Sequence, residues 1–109
     1  MKKLHIAIST KCLKETIRDY TARLSTEPCL VLDEYALWRT DSLNLSVRVD
    51  AACKAGELRH LGWEDPDAKA FTADTDVNGI AWERFSAQQQ AAEINELWPE
   101  AGYEPDVEL

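Results

Sequence analysis

Several features that would divide or specialise a chain are scarce in this one. Only four glycines and four prolines are spread over 109 residues, and no linker, repeat or low-complexity stretch interrupts them. One domain is therefore expected, over residues 1–99. No apolar run approaches the roughly 20 residues of a spanning helix. The opening MKKLHIAIST also lacks the long apolar stretch of a signal peptide, so a cytoplasmic protein without membrane contact is expected. Cysteine is limited to Cys12, Cys29 and Cys53. The number is odd and no C-x-x-C pair occurs, which argues for free thiols rather than a disulfide framework or a thiolate metal site.

Basic residues are scarce in the second half. Residues 1–63 hold ten basic and eight acidic side chains, whereas residues 64–109 hold two basic and twelve acidic ones. With no basic stripe to neutralise phosphates, nucleic acid is excluded as a partner. The acidic segment 100–109 reads as a solvated C-terminal tail.

What is present reads as α+β. Residues 3–9 alternate, with Leu4, Ile6 and Ile8 on one face and His5, Ala7 and Ser9 on the other, the pattern of a half-buried strand. Leu13, Ile17, Tyr20 and Leu24 then recur at helical spacing. Residues 29–33, 36–40 and 43–49 read as three short strands and 57–64 as another. The acidic stretch 65–76, which holds Pro66, reads as a loop, and Asn78-Gly79 as a turn into a strand at 80–85. Ser86 and Gln89 form a capping box for a helix that ends before Pro99. The expected order is β-α-β-β-β followed by β-β-α, with the helices packed on one side of the sheet.

The chain has two histidines, His5 and His60. Each sits on an expected strand, on the face opposite the large aliphatics, and Glu83 does the same on the last strand. Two imidazoles and one carboxylate on a common face make a set that suits a divalent first-row metal and leaves positions open for a substrate. Periodicity alone does not make the three strands neighbours, and a histidine on a strand is often only a hydrogen-bonded structural residue. Asn44, Ser46, Arg48, Trp38 and Phe85 read as lining or substrate-binding residues on the same side, and Arg59 as a residue of the opposite side.

Three pieces of the chain belong together: His5 on a first strand backed by a helix carrying Tyr20, the strand His60-Leu61-Gly62, and the turn and strand Asp76-Val77-Asn78-Gly79-Ile80-Ala81-Trp82-Glu83-Arg84-Phe85. In this order they resemble the glyoxalase, bleomycin-resistance and extradiol-dioxygenase superfamily of vicinal oxygen chelate proteins. The resemblance implies a βαβββ module followed by an abbreviated ββα module, in a curved mixed sheet with helices on its outer face. It implies His5, His60 and Glu83 as ligands of a divalent ion (Fe, Mn, Ni or Zn), with lyase- or dioxygenase-type chemistry on a small molecule. The fourth ligand of glyoxalase-I-like members, a Glu on the strand at 43–49, has no counterpart here. The shortened second module implies a homodimer that covers the exposed sheet. Two alternatives stand beside the enzyme: a non-catalytic module that binds or sequesters a small molecule, and an α+β dimer whose histidines are structural.

Overall fold

The computed structural model describes residues 1–105. Its elements are β1 (Lys3–Thr10), α1 (Leu13–Leu24), β2 (Leu30–Val31), β3 (Tyr35–Arg39), β4 (Leu43–Val49), β5 (Leu58–Glu64), β6 (Thr72–Thr75), β7 (Ala81–Phe85), α2 (Ala87–Leu97) and a short 3₁₀ turn at Pro99–Ala101. The strands form one mixed sheet in the order β2-β3-β4-β1-β5-β7-β6. Two pairs are parallel, β1 with β4 and β5 with β7, and the other neighbours are antiparallel. The class is α+β, as the alternation of apolar residues indicated.

Three expectations need correction. First, the loop at 65–76 contains a strand, β6. All four of its residues are exposed, because it lies at the sheet edge with neither face covered. It therefore carries no apolar alternation that a sequence pattern could detect.

Second, the helices do not share one face. Along β3, Ala36 and Trp38 join Leu13, Leu45 and Val47 in a core closed by Ile17, Tyr20 and Leu24 of α1. The intervening Tyr35 and Leu37 join Ala91 and Ile94 of α2 in a second core. Successive strand residues point to opposite faces, so α1 and α2 lie on opposite sides of the sheet. The expectation of outer-face helices fails for α2, because a helical stripe shows that a face is buried and not against which side of a sheet.

Third, the tail does not begin at residue 100. Tyr103 is buried in the α2-side core, and Asn95 of α2 both donates to its carbonyl and accepts from its backbone N–H. The remainder of the expected tail, 106–109, lies outside the described residues.

Local chemistry explains the ends of the elements that hold the site. Ser86 caps α2 by accepting from Gln89 N–H, and the Gln89 side chain accepts from Ser86 N–H. Cys12 begins α1 with no side-chain cap. Before β7, Asp76 accepts from the backbone N–H groups of Asn78 and Ile80 and from the Trp82 indole. Gly79 turns there at φ +81, in the left-handed region that glycine enters without a steric cost.

A candidate metal centre

On the α2 face, β1, β5 and β7 lie side by side in the middle of the sheet. The register sets His5 opposite Gly62 and Gly62 opposite Glu83. The middle member of this cross-strand row has no side chain, so the space between His5 and Glu83 stays open. A Cβ on Gly62 would also run into the Glu83 backbone carbonyl, so close approach of β5 and β7 requires glycine there. His60, two residues along β5, leans over the row. Its Nε2 is 3.0 Å from His5 Nε2 and 2.9 Å from Glu83 Oε1. One ligand atom from each of the three residues lies within 4.8 Å of the others. The three residues chosen from strand faces are therefore brought together.

The protonation of His5 follows from its partners. Its Nδ1 faces the carbonyl oxygen of Asn44 at 3.1 Å and Asn44 Oδ1 at 2.9 Å. Both are acceptors, so Nδ1 carries the proton. The orientation of the Asn44 amide is fixed in turn: its Nδ2 donates to Glu64 Oε1 at 2.8 Å and to Gln90 Oε1 at 2.7 Å. A carboxylate can only accept, so Oδ1 has to turn toward His5. Arg39 holds Glu64 in a two-point pair of 2.8 and 2.9 Å. Burial opposes ionisation of Glu64, but the hydrogen bonds from Arg39 and Asn44 outweigh it and keep the carboxyl below its ordinary range. Burial lowers the His5 pKa, with the Asn44 bonds opposing. The chain Arg39–Glu64–Asn44 thus delivers a neutral His5 whose Nε2 lone pair points into the site.

This arrangement is short of protons. His60 Nε2 can carry at most one, yet it faces two acceptors, His5 Nε2 and the Glu83 carboxylate. Three lone-pair atoms converging on a single proton leave a deficit that a cation relieves. The separations also fit, since donors 2.9–3.0 Å apart are spaced as two ligands about 2.1 Å from one ion at a right angle. The residues therefore fit a divalent metal, and His5, His60 and Glu83 could hold it.

The surroundings differ in part from expectation. Ser46, Arg48 and Phe85 line the cavity beside the triad, and Phe85 meets the His5 ring edge-on with centroids 4.9 Å apart. Asn44 is 0% exposed and holds His5 instead of facing a ligand. Trp38 is not a cavity wall. It is 0% exposed in the α1-side core, because β3 turns Ala36 and Trp38 to that side. Its phase was unreadable in the continuous apolar run Tyr35-Ala36-Leu37-Trp38.

Arg59 is also corrected. It lines the cavity with His60, although simple alternation would put the two on opposite faces. The cause is a register shift: Ala7 pairs with His60 and Ile8 with Leu58, so Arg59 is an extra residue. Such a bulge re-aims side chains. Glu93, Gln90 and Tyr35 also line the cavity and were not singled out from the sequence. The signal for the first two was their placement on α2, which had been assigned to the other side of the sheet. The Tyr35 phenol, hydrogen-bonded to Ser46, is held neutral by burial. With α2 seated over the sheet, the cavity has a volume of about 50 Å³, room for one or two waters.

No family description matches the sequence, and no curated protein matches it. Solved structures are similar in fold. A hypothetical protein from Staphylococcus aureus superposes with a TM-score of 0.58 at 10% identity, over 78% of this chain and 34% of that one. The present chain thus spans about a third of that protein. A structure described as an NAD-dependent benzaldehyde dehydrogenase from Legionella pneumophila gives a TM-score of 0.55 at 10% identity, over 76% of this chain and 97% of that one. At such identities the likeness is one of fold.

Proposed function

We propose that this chain is a small metal-binding protein of the vicinal oxygen chelate type, holding a divalent ion through His5, His60 and Glu83 and presenting it to a small molecule for lyase- or dioxygenase-type chemistry. The observation that carries the reading is the convergence of three ligand atoms around one proton, with His5 fixed in the tautomer that offers a lone pair. The strand pairing supports it. In β2-β3-β4-β1, a parallel β1/β4 pair is joined by a crossover containing α1, as a βαβββ module requires. β5, β6 and β7 repeat the inner part, with β5 parallel to β7 and β6 antiparallel beside it. In this reading the helix and one strand of the second module are replaced by residues 65–71.

A bound divalent ion would supply Lewis acidity toward a substrate oxygen. The protein's own contribution is positional: Asn44 orients His5, Gly62 leaves space, and Phe85 with α2 limits water. The small cavity favours a second reading, a module that holds an ion and a small ligand without turnover, since sites for drug-sized ligands are typically about 300–1,000 Å³. On the α1-side surface of β5, Trp63 is 39% exposed among the described residues. A homodimer covering this surface belongs to the same proposal, and light scattering checks it: a monomer at high concentration removes it.

Metal content decides the central point. Protein stripped of metal and then supplied with Fe(II), Mn(II), Ni(II) or Zn(II) is expected to retain one ion per chain, and the His60→Ala variant to lose it. Wild-type protein that takes up none of the four, or a variant that binds as well as wild type, ends the proposal.

A further inference from the structure

Beside the triad stand two guanidinium groups with no carboxylate of their own. Arg48 on β4 and Arg59 on the β5 bulge both line the cavity, and together they also line the depression just outside it, with Ser9, Val49 and Asp50. Among the described residues neither makes a side-chain hydrogen bond or an ion pair. Asp50 accepts from the backbone N–H of Ala52. Arg48 is held in place by the Trp98 ring, 5.4 Å from its guanidinium carbon, and Trp98 itself packs on Tyr35 at 5.0 Å. Two guanidinium groups thus line one small cavity with their N–H donors not engaged by a side-chain acceptor.

The cavity's charge says when. Arg48 and Arg59 face Glu83 and Glu93, so with the site empty of a cation the signs balance. An ion on the triad adds two positive charges and makes the cavity attractive to an anion.

From this arrangement we infer that Arg48 and Arg59 form a subsite for a small carboxylate, the substrate or ligand class of the metal centre. The inference rests on the metal reading above. A carboxylate suits because guanidinium forks take planar, two-oxygen anions and because a cavity of about 50 Å³ favours a group of a few atoms. The uncharged amide of the same shape lacks what the pair recognises.

The test uses Co(II)-loaded full-length protein, with its metal content measured first and its visible spectrum followed as acetate, acetamide or inorganic phosphate is added. Acetate is expected to change the cobalt bands saturably and acetamide not to. Arg59→Gln and Arg48→Gln should each retain one cobalt per chain while binding acetate about ten-fold more weakly. Thermal melts of both variants confirm that they are folded. Cobalt uptake with no acetate response, equal responses to acetate and acetamide, a response to phosphate alone, or variants that bind acetate as wild type does would each overturn the carboxylate subsite while leaving the metal centre standing. Failure to take up cobalt at all overturns both, and the metal measurement shows that at once.

Discussion

The two faces of this sheet are built from the same strands and buried by one helix each, yet along the adjacent strands β4, β1 and β5 they hold opposite kinds of residue. On the α1 side, Ala36, Trp38, Leu45 and Val47 form a wholly apolar core. On the α2 side, His5, Asn44, Ser46, Glu64 and Gln90 are all buried; hydrogen bonds join His5, Asn44, Glu64 and Gln90, and Ser46 bonds the Tyr35 phenol. In β4 the two kinds alternate residue by residue, Leu45 and Val47 one way and Asn44 and Ser46 the other. Burying apolar area stabilises without directional demands. A buried polar network is favourable only when each member finds its partner, and it then fixes orientation as well. Around the site, the α1 side therefore contributes apolar burial, while the α2 side, beside its own apolar core of Tyr35, Leu37, Ala91 and Ile94, supplies the direction in which a single imidazole lone pair points.

The largest expected effect comes from the apolar face. Trp38→Ala removes a fully buried indole and should cost about 3–5 kcal/mol, read by denaturant unfolding, while the metal affinity of the folded fraction stays at the wild-type value. A changed affinity would mean that the faces are not separable. Glu64→Gln should cost about 3 kcal/mol by leaving Arg39 without its carboxylate. An amide there offers a donor as well as an acceptor, so the orientation of the Asn44 amide is no longer fixed, and metal affinity should fall 10–100-fold, measured by competition with a chelator. Two variants of similar stability would thus differ in metal binding alone, and an unchanged affinity in Glu64→Gln would remove Asn44 from the account.

The smallest effect is that of pH. Because Glu64 titrates below its ordinary range in the folded chain, its ionised form contributes stability that is fully present above the unfolded carboxyl value of about 4.3. That contribution is lost as the pH falls from there through the folded value. The difference in melting temperature between wild type and Glu64→Gln should therefore shrink between pH 6 and pH 3. A constant difference would show that the charge is not what matters.

How much of this was legible in the sequence follows from the same contrast. Alternation along β1, β5 and β7 was enough to put His5, His60 and Glu83 on one face, since period two is a direct consequence of strand geometry. Their adjacency is a matter of which strands pair, and the sequence carried that only through the resemblance of its motifs. Arg59 was misplaced because a bulge adds one residue without any glycine or proline to announce it. Trp38 was misplaced because four apolar residues in a row have no readable phase. Strand β6 has no buried face and so no pattern. The side on which α2 lies depends on packing between residues far apart in the chain, beyond the reach of any local window.

The register that sets His5 against Gly62 and Gly62 against Glu83 has a mechanical consequence. His5 belongs to the half of the sheet built before residue 50, whereas His60 and Glu83 belong to the half built after it, and within the sheet the halves are paired along the antiparallel β1–β5 seam. An ion bound to all three would act as a cross-link over that seam, closing loops of the chain much as a disulfide does but reversibly. Its removal should loosen the amides of β1 and β5 before those beneath α1, so that metal supply sets how tightly this one seam is held.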